Sequence, residues 1–375
     1  MSDFHIKPEL RIWHKHAPRN DFILSCKQLI NILKERQLQY VLIGGDIFDI
    51  PRITADCLFN FYQYFLNPLS KLKIKSFYVN GQHDNLDPPW LSVFDEIIHL
   101  HRKTINLDGI EISGLDFSLD AKTLFKEVKS PVLLTHQVWV NFVPSAEGVT
   151  IEDIPEHIKL VLTGDFHRFS KIELNSNRYL VSIGPFCHTS SDASKLVDKH
   201  VVILNDDLSI ECIPILQRPI YRYANVDNTF QIYEEVLEKS QEIRKQIREF
   251  DIPDVDIPVV VLEVSYDKLV TTQEEIKELN QVYWKFIPRY EKINGLRPIY
   301  QESLDAVDFV NWIKREFSLL YPDRKPLVDL FFTVFNDPSH AENWKRYFKY
   351  FEDLICSPIK KEENQGNADS NNQRS

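Results

Sequence analysis

The sequence predicts an α/β protein, and three features carry that prediction. Helical and strand patterns alternate over residues 20–215. The longest apolar runs, such as 40–43 and 259–262, have the length of strands. Hairpin patterns follow Ser170, and helical and strand patterns return from residue 230. This order is typical of a sandwich in which helices cover β-sheets.

The first half of the chain contains the alternating elements. Asn20 or Asp21 can cap a helix whose apolar residues, from Phe22 to Leu33, recur at helical spacing. We then predict a strand at 40–43, a helix at about 55–65 and a strand at 74–79. Further strands are predicted near 111–114, 132–135 and 160–163, with a helix near 122–128.

The second half begins with two predicted hairpins, which would complete a second sheet. They pair 171–174 with 179–183, and 200–204 with 209–213. The stretch from Pro214 to Asn228 is predicted to be a linker. A small α+β unit should follow, with a charged helix at 230–250, a strand at 258–264 and a helix at 274–282.

The C-terminal part contains aromatic helical stretches at 303–320, 325–335 and 340–356. The last residues are rich in Asn, Gln, Glu and Ser without apolar periodicity, and we predict disorder there. The predicted organisation therefore has four parts: 1–215, 216–300, 301–356 and 357–375.

Composition restricts the class of protein. Of the 375 residues, 43% are hydrophobic and 26% charged, which is ordinary for a globular protein. No apolar run approaches the roughly 20 residues of a membrane helix, and the N-terminus lacks an export pattern. The five cysteines are scattered and never form a CxxC pair, which argues against a disulfide framework or a thiolate zinc site. A reducing cytoplasm fits best.

The net charge of −11 bears on the partners of the protein. Lys and Arg that neutralise phosphates supply most sequence-independent affinity for DNA. A chain this acidic should hold DNA weakly by itself. Bound metals, a local basic patch or a partner subunit would have to supply the attraction.

Several short segments place metal-ligand side chains next to predicted strand ends. They are Asp3-Phe4-His5, Gly45-Asp46-Ile47-Phe48-Asp49, Gly81-Gln82-His83-Asp84, Thr135-His136 and Gly164-Asp165-Phe166-His167. Because ligands bind beyond the carboxyl ends of strands in open α/β sheets, we expect these loops to converge. Asp49 is either part of that site or a turn cap.

The types of ligand indicate two divalent ions. Carboxylates, imidazoles and an amide suit Mn, Fe or Zn better than a thiolate-loving metal. Two such ions about 3.5 to 4 Å apart can grip the attacking and departing oxygens of a phosphoryl displacement. A carboxylate must bridge them, and Asp46 is the candidate because it directly follows strand 40–43 and its Gly-Gly turn.

The ordered series DxH, GDxxD, GxHD, a lone His and GxxH resembles the calcineurin-like metallophosphoesterase superfamily. The downstream unit and terminal helices resemble the SbcD-type recombination nucleases, especially the bacteriophage versions. The motif resemblance covers about residues 2–190. It implies a four-layer α/β sandwich as nuclease domain in 1–215, a small capping or DNA-binding domain in 216–300, and a helical ATPase-binding region in 301–356.

The resemblance also implies a role for each site residue. The first metal ion would be held by four side chains: Asp3, His5, Asp46 and His167. The second would be held by Asp46, Gln82, His136 and Asp165. His83 would hydrogen-bond the phosphate and protonate the leaving oxygen, and Asp84 would orient it. The metals would be Mn, or alternatively Mg.

Three positions depart from the family pattern. The family usually has Asn at Gln82 and His at Asp165, and both departures fall on the second metal. Gln82 keeps the amide oxygen but adds a methylene, whereas Asp165 adds negative charge that favours Mn or Mg. Asp3 lies almost at the first residue, so either the true start lies upstream or the first ligands hang from a frayed end.

These features predict a DNA nuclease that cleaves phosphodiester bonds at DNA ends in recombination, repair or replication. It would act in an SbcCD-like complex with a coiled-coil SbcC-like ATPase, in the cytoplasm (of the host, if viral), and the resemblance suggests a homodimer. Two alternatives remain open. The same loops would serve a phosphoesterase of small molecules or phosphoproteins. A non-catalytic scaffold for the ATPase is the other.

Overall fold

The computed structural model describes residues 1–6, 18–50, 53–84, 86–175, 177–188, 198–224, 228–265 and 269–289. All of them belong to one unit, Met1–Glu291. The predicted helices at 303–320, 325–335 and 340–356 and the predicted disordered tail lie outside the described residues.

Helices and strands alternate through the first half of this unit. The helices are α1 (Pro18–Glu35), α2 (Ala55–Phe61), α3 (Asn67–Lys71), α4 (Ala121–Phe125), α5 (Thr229–Arg248) and α6 (Leu269–Glu275). A π-helical turn, Tyr62–Leu66, joins α2 to α3. The helix predicted at 55–65 therefore begins where expected and continues to Lys71 through a change of winding.

The strands begin with β1 (Tyr40–Ile43), β2 (Lys75–Tyr78), β3 (Ile97–His99), β4 (Lys103–Leu107), β5 (Ile110–Leu115), β6 (Val132–His136) and β7 (Leu160–Gly164). They continue with β8 (Ser170–Asn175), β9 (Arg178–Ser182), β10 (Lys199–Leu204), β11 (Ile210–Ile215), β12 (Ile220–Ala224), β13 (Val259–Ser265) and β14 (Tyr283–Arg289). The sequence did not predict β3, β4, β12 or β14.

The strands form four sheets. Strands β1, β2 and β3 make a parallel sheet. A six-stranded sheet has the order β4-β5-β6-β7-β9-β8, with β5, β6, β7 and β9 parallel. Strands β10 and β11 pair by themselves, and β12, β13 and β14 form a second parallel sheet. The two predicted hairpins thus belong to different sheets.

Three apolar clusters hold the first sheets between helices. Helices α1 to α3 cover the small parallel sheet through residues such as Phe61 and Ile43. Between this sheet and the six-stranded sheet, Phe77 packs in one cluster with Leu134 and Leu162. On the outer face of the six-stranded sheet, α4 packs Phe125 in a cluster with residues of β6 and β7. The order helices, sheet, sheet, helix confirms the predicted four-layer α/β sandwich.

The N-terminal segment Met1–Ile6 lies inside the domain, and all six residues are buried. On one side the Asp3 N–H donates to Gly45 O at 2.9 Å. On the other, the Phe186 N–H donates to Ser2 O at 2.9 Å. The frayed-end alternative for the first metal's ligands is therefore wrong.

The predicted linker 214–228 contains a strand. Strand β12 pairs with β13, and Arg222 Nε donates to Glu263 Oε1 across that pair at 2.6 Å. Prolines at 214 and 219 and the charges in this stretch hid the alternation of Tyr221 and Tyr223. The helix predicted at 274–282 was also misplaced, because α6 ends at Glu275 and β14 follows at Tyr283.

A buried ion pair joins this α+β portion to α1. Arg218 Nε donates to Asp21 Oδ1 at 2.7 Å, and Arg218 Nη1 donates to the carbonyls of Asp254 and Ile257. Leu24 of α1 packs in one cluster with Ile247 of α5. The contact fixes α5 and the β12-β13-β14 sheet against α1.

Two further properties concern the whole described region. Within it, every helix is too short or too polar to cross a membrane. Three of its cysteines, Cys26, Cys57 and Cys212, carry free thiols.

Candidate metal centre

The predicted ligands come together at one edge of the β1-β2-β3 sheet and the adjacent edge of the six-stranded sheet. Asp46 follows β1, and Gln82 follows β2, which is parallel to β1. His136 ends β6, and Asp165 follows the parallel strand β7. Because parallel strands end at the same edge of a sheet, their loops meet in one crevice.

Asp46 lies at the centre of the site. Its Oδ2 is 3.3 Å from His136 Nε2, 3.8 Å from His5 Nε2 and 3.9 Å from His83 Nε2. Its Oδ1 accepts the His83 backbone N–H at 3.0 Å. One carboxylate oxygen therefore faces three imidazole nitrogens while the other is held by the chain.

A second group lies beside it. His5 Nε2 and His167 Nε2 are 3.0 Å apart, and His167 Nε2 is 3.5 Å from Asp3 Oδ1. These three side chains belong to the set predicted for the first metal. Asp3 is fully buried, whereas His167 is partly exposed.

Hydrogen bonds of the Nδ1 nitrogen orient two of the histidines. His136 Nδ1 lies 2.7 Å from Gly44 O, and His83 Nδ1 lies 2.7 Å from Asp49 O. A carbonyl oxygen can only accept, so each Nδ1 carries a proton, and each Nε2 lies within 3.9 Å of Asp46 Oδ2. His5 Nδ1 lies 3.3 Å from Asp49 Oδ1 but has no hydrogen-bond partner among the described residues.

The residues present fit divalent cations. Within the described part of the chain, Asp3 Oδ2 and His136 Nε2 are buried without a hydrogen-bond partner. Buried polar atoms are normally paired, so these two are suited to a metal ligand's role. Three groups have ligand atoms within 4.8 Å of one another: Asp3 with His5 and His167, His5 with Asp46 and His83, and Asp3 with Asp46 and His136.

The electrostatics of the site favour positive charge. Burial acts to raise the pKa of Asp46, but the charge of His136, whose Nε2 is 3.3 Å away, outweighs it and lowers the pKa. Burial acts to lower the pKa of His136, yet Asp46 raises it to about 10. The pKa of Asp3 is also lowered, because a hydrogen bond with His167 and the nearby imidazoles outweigh burial. Two buried carboxylates thus require cationic partners.

Gln82 and Asp165, which depart from the family pattern, line the mouth of the site. They border a cleft of about 510 Å³ together with His5, Asp46, His83 and His167. Gln82 is exposed, and its side chain contributes a hydrogen bond that acts to lower the pKa of Asp165, although burial raises it overall. Among the described residues, Asp165 is in none of the three groups given above.

Asp84 has different partners from those predicted. Its carboxylate accepts the backbone N–H groups of Ile47 at 2.8 Å and Phe48 at 2.9 Å. The His83 ring is held by the carbonyl of Asp49 instead. Asp84 therefore fixes the loop that carries Asp46 and Asp49, and it supports His83 only through that loop. Burial and the charge of Asp46 raise the pKa of Asp84 to about 7.

No family model matches the chain. Two curated proteins do, both described as DNA double-strand break repair protein Mre11. The protein from Methanosarcina acetivorans is 24% identical over 267 residues, which are 64% of this chain and 42% of the relative. The protein from Methanosarcina mazei is 24% identical over 291 residues, which are 72% of this chain and 45% of the relative.

In sequence, the chain is similar to Mre11. This similarity supports the nuclease superfamily that the ordered motifs resemble. The chain spans less than half the length of these relatives. Among solved structures, an archaeal phosphodiesterase overlaps 57% of this chain and 97% of its own, with 11% identity and a TM-score of 0.33.

The backbone of the site has several residues in the left-handed conformation, which the motifs only partly indicate. Four ligand candidates have positive φ: Asp3 (53°), His5 (46°), Asp46 (51°) and Asp165 (81°). Residues other than glycine rarely adopt this conformation, and it is concentrated at functional sites. Gly45, with φ of 93°, provides the turn that was predicted before Asp46. Gly81 instead provides room, since a Cβ there would lie 2.0 Å from Asp46 Oδ1.

One supporting network was missed from the sequence. Asp116 accepts the Asn80 backbone N–H at 2.8 Å and the Asn80 side-chain amide at 3.1 Å. His99 Nε2 lies 2.8 Å from the same carboxylate. The network holds the chain just before Gln82 and His83. Asp116 directly follows β5, as Asp46 follows β1 and its two glycines, so the same sequence pattern could have identified it.

Proposed function

We propose that this chain is a metal-dependent phosphodiesterase that cleaves DNA. The observation that carries the proposal is the arrangement at Asp46, whose buried Oδ2 lies within 3.9 Å of three imidazole nitrogens from separate loops. Buried carboxylates are usually paired or bound to metals, and a shared carboxylate is what two neighbouring cations need.

The proposed ligand sets follow the superfamily. Asp3, His5, Asp46 and His167 would hold one ion, and Asp46, Gln82, His136 and Asp165 the other. Mn suits this mixture of carboxylate, imidazole and amide, and Mg is the alternative. When bound, two such ions activate water at neutral pH and offset the negative charge of the phosphoryl group.

His83 would handle the proton of the leaving group. Its Nδ1 is committed to the carbonyl of Asp49, and its side chain is 36% exposed towards the cleft. A proton held at Nε2 could be donated to the leaving oxygen. The Asp84 carboxylate, bound to the N–H groups of Ile47 and Phe48, would keep this loop in position.

Similarity to proteins described as DNA double-strand break repair proteins supports DNA as the substrate. We propose that the chain is the nuclease subunit of an SbcCD-like complex, with an SbcC-like coiled-coil ATPase as partner and a homodimer as its own assembly. The net charge of −11 favours such a partner, because an acidic chain gains little attraction to phosphates by itself. The cytoplasm is the proposed location.

The test is degradation of linear duplex DNA in Mn²⁺, with and without the ATPase. We expect the wild type to hydrolyse the DNA and Asp46→Asn to lower the rate by at least about 100-fold. Loss of a residue that only supports a metal ligand already costs up to about 100-fold, and Asp46 would be a ligand itself. Asp120→Asn, an exposed acid away from the cleft, is the matched control and should leave the rate unchanged. A metal-loaded protein that leaves DNA intact in both settings would contradict the proposal, and rapid turnover of small diesters alone would favour a small-molecule phosphoesterase.

One observation favours a second function, that of a non-catalytic scaffold for the ATPase. Asp165 lies outside the three close ligand groups of the described region, and Gln82 is exposed. The second metal position could therefore have decayed. If so, the double variant Gln82→Asn with Asp165→His should create DNA hydrolysis where the native chain has none. Native activity equal to or above that of the double variant would exclude the scaffold.

A further inference from the structure

Phe166 has a position that the metal chemistry does not require. It lies between Asp165 and His167, is partly exposed, and lines the same cleft as Asp46 and His83. Its ring stacks on Phe142 with a centroid distance of 5.0 Å and an interplanar angle of 5°. Phe142 in turn packs against the apolar cluster on the outer face of the six-stranded sheet. An aromatic surface is thus anchored to the core at the mouth of the site.

The loop that carries Phe166 is fixed by hydrogen bonds. Ser182 Oγ donates to Phe166 O at 2.9 Å and to Arg168 O at 3.0 Å. The Arg168 N–H donates to Phe166 O at 2.7 Å. A ring held this way loses little conformational entropy when a ligand stacks on it, which increases affinity.

Arg168 adds a charge at the same place. Among the described residues that line the cleft, it is the one with a permanent positive charge, and it is exposed. Within the described part of the chain its guanidinium takes part in no ion pair. In an acidic protein, an uncommitted guanidinium beside a phosphoesterase cleft is suited to bind a phosphate.

We propose that Phe166 and Arg168 form a nucleotide subsite, in which an unpaired base stacks on Phe166 and Arg168 binds the phosphate next to the one that is cleaved. This rests on the proposed function and specifies its substrate as a single-stranded or frayed nucleic acid end. A paired and stacked base cannot present its face to the ring. A phosphoprotein or a small aliphatic phosphoester would make no use of the aromatic surface.

Binding separates this inference from catalysis. The probes are a short fluorescent phosphorothioate oligothymidylate and a strand of equal length and charge without bases, each measured by anisotropy in Mn²⁺. We expect the wild type to prefer the strand with bases by about tenfold, within the range of base–aromatic stacking. Phe166→Leu keeps an apolar side chain of similar size but should abolish the preference, and Phe166→Tyr should retain it.

Phe230→Leu, at a phenylalanine 54% exposed on α5, is the matched control and should change neither affinity. The Mn content of Phe166→Leu should equal that of the wild type, since Asp165 and His167 remain. A base preference that persists in Phe166→Leu, or that is absent from the wild type, would overturn the stacking role.

Arg168 is tested by the salt dependence of binding to both strands. Arg168→Gln should weaken both and lower the slope of log affinity against log salt by about 0.7, the value for one phosphate contact on a single strand. Arg168→Lys should keep the slope, and an unchanged slope in Arg168→Gln would remove Arg168 from the subsite.

Hydrolysis without base preference overturns the subsite alone, whereas base-dependent binding without hydrolysis overturns the proposed nuclease alone.

Discussion

Asp46 is the residue on which the site depends, because both of its oxygens are committed. Oδ2 faces the histidine nitrogens, and Oδ1 accepts the His83 N–H. The side chain is 1% exposed, so its charge must be balanced inside the protein. Imidazoles and metal ions can both provide that balance, and small displacements of Asp46 should disturb both.

Gly81→Ala tests whether a displacement of Asp46 weakens metal binding. An added Cβ would lie 2.0 Å from Asp46 Oδ1, so the carboxylate would have to move. We expect Mn²⁺ affinity to fall by about 10 to 100-fold, as when a residue that orients a ligand is lost. Elemental analysis after dialysis against Mn²⁺ measures the effect.

Gly109→Ala is the control for glycine replacement in general. Gly109, unlike Gly81, has positive φ, and its Cβ would meet nothing within 4 Å. The Gly109→Ala variant should lose about 1 kcal/mol of stability from backbone strain and keep its metal. Equal metal contents in the two variants would contradict the close packing inferred at Asp46.

At the scale of elements, the sequence predicts the strands whose ends carry the ligands. Strand β1 matches its predicted bounds, and β6 and β7 each extend one residue further. Apolar runs identify such strands, and parallel pairing within each sheet brings Asp46 to the same edge as Gln82, and His136 to the same edge as Asp165. Packing of the two sheets through Phe77 and Leu134 then brings these loops together. The sequence did not reveal the placement of Met1–Ile6, because long-range hydrogen bonds to Gly45 and Phe186, rather than local periodicity, hold it.

The role of Asp84 was equally hidden, since its partners are backbone N–H groups 36 and 37 residues away. No side-chain motif encodes such a contact. Strand β12 was missed for a different reason: its alternation is short and interrupted by a charge that pairs with Glu263 only in the folded sheet.

The ion pair that docks β12 and its neighbours on α1 gives a prediction at this scale. Arg218→Met leaves the buried Asp21 without its partner and two carbonyls without a donor. Loss of one member of a buried pair costs about 3 to 5 kcal/mol, so the midpoint of urea unfolding should fall accordingly. The double variant Asp21→Asn with Arg218→Met should recover part of the loss.

Arg36→Met is the control. Arg36 pairs with Glu211 at 2.8 Å, but both side chains are more than 40% exposed. Such pairs contribute about 0 to 1 kcal/mol. Comparable losses in Arg36→Met and Arg218→Met would mean that burial does not strengthen the α1 contact.

For the whole molecule, acidity and the metal centre are connected. A net charge of −11 opposes the approach of any polyanion such as DNA, and the candidate site adds buried carboxylates where the proposed function requires a phosphate to bind. Bound cations would reverse the local charge and allow an anion to enter. Composition suggested this requirement and the motifs named the carboxylates, whereas the folded arrangement shows that Asp3 and Asp46 are buried.

Calorimetric titration of the metal-free protein with Mn²⁺ measures directly whether Asp46 bridges two ions. We expect two ions per chain for the wild type and one or fewer, bound more weakly, for Asp46→Asn, with Asp120→Asn unchanged. A wild type that binds no Mn²⁺, or an Asp46→Asn variant that still binds two ions with native affinity, would contradict a dinuclear centre bridged by Asp46.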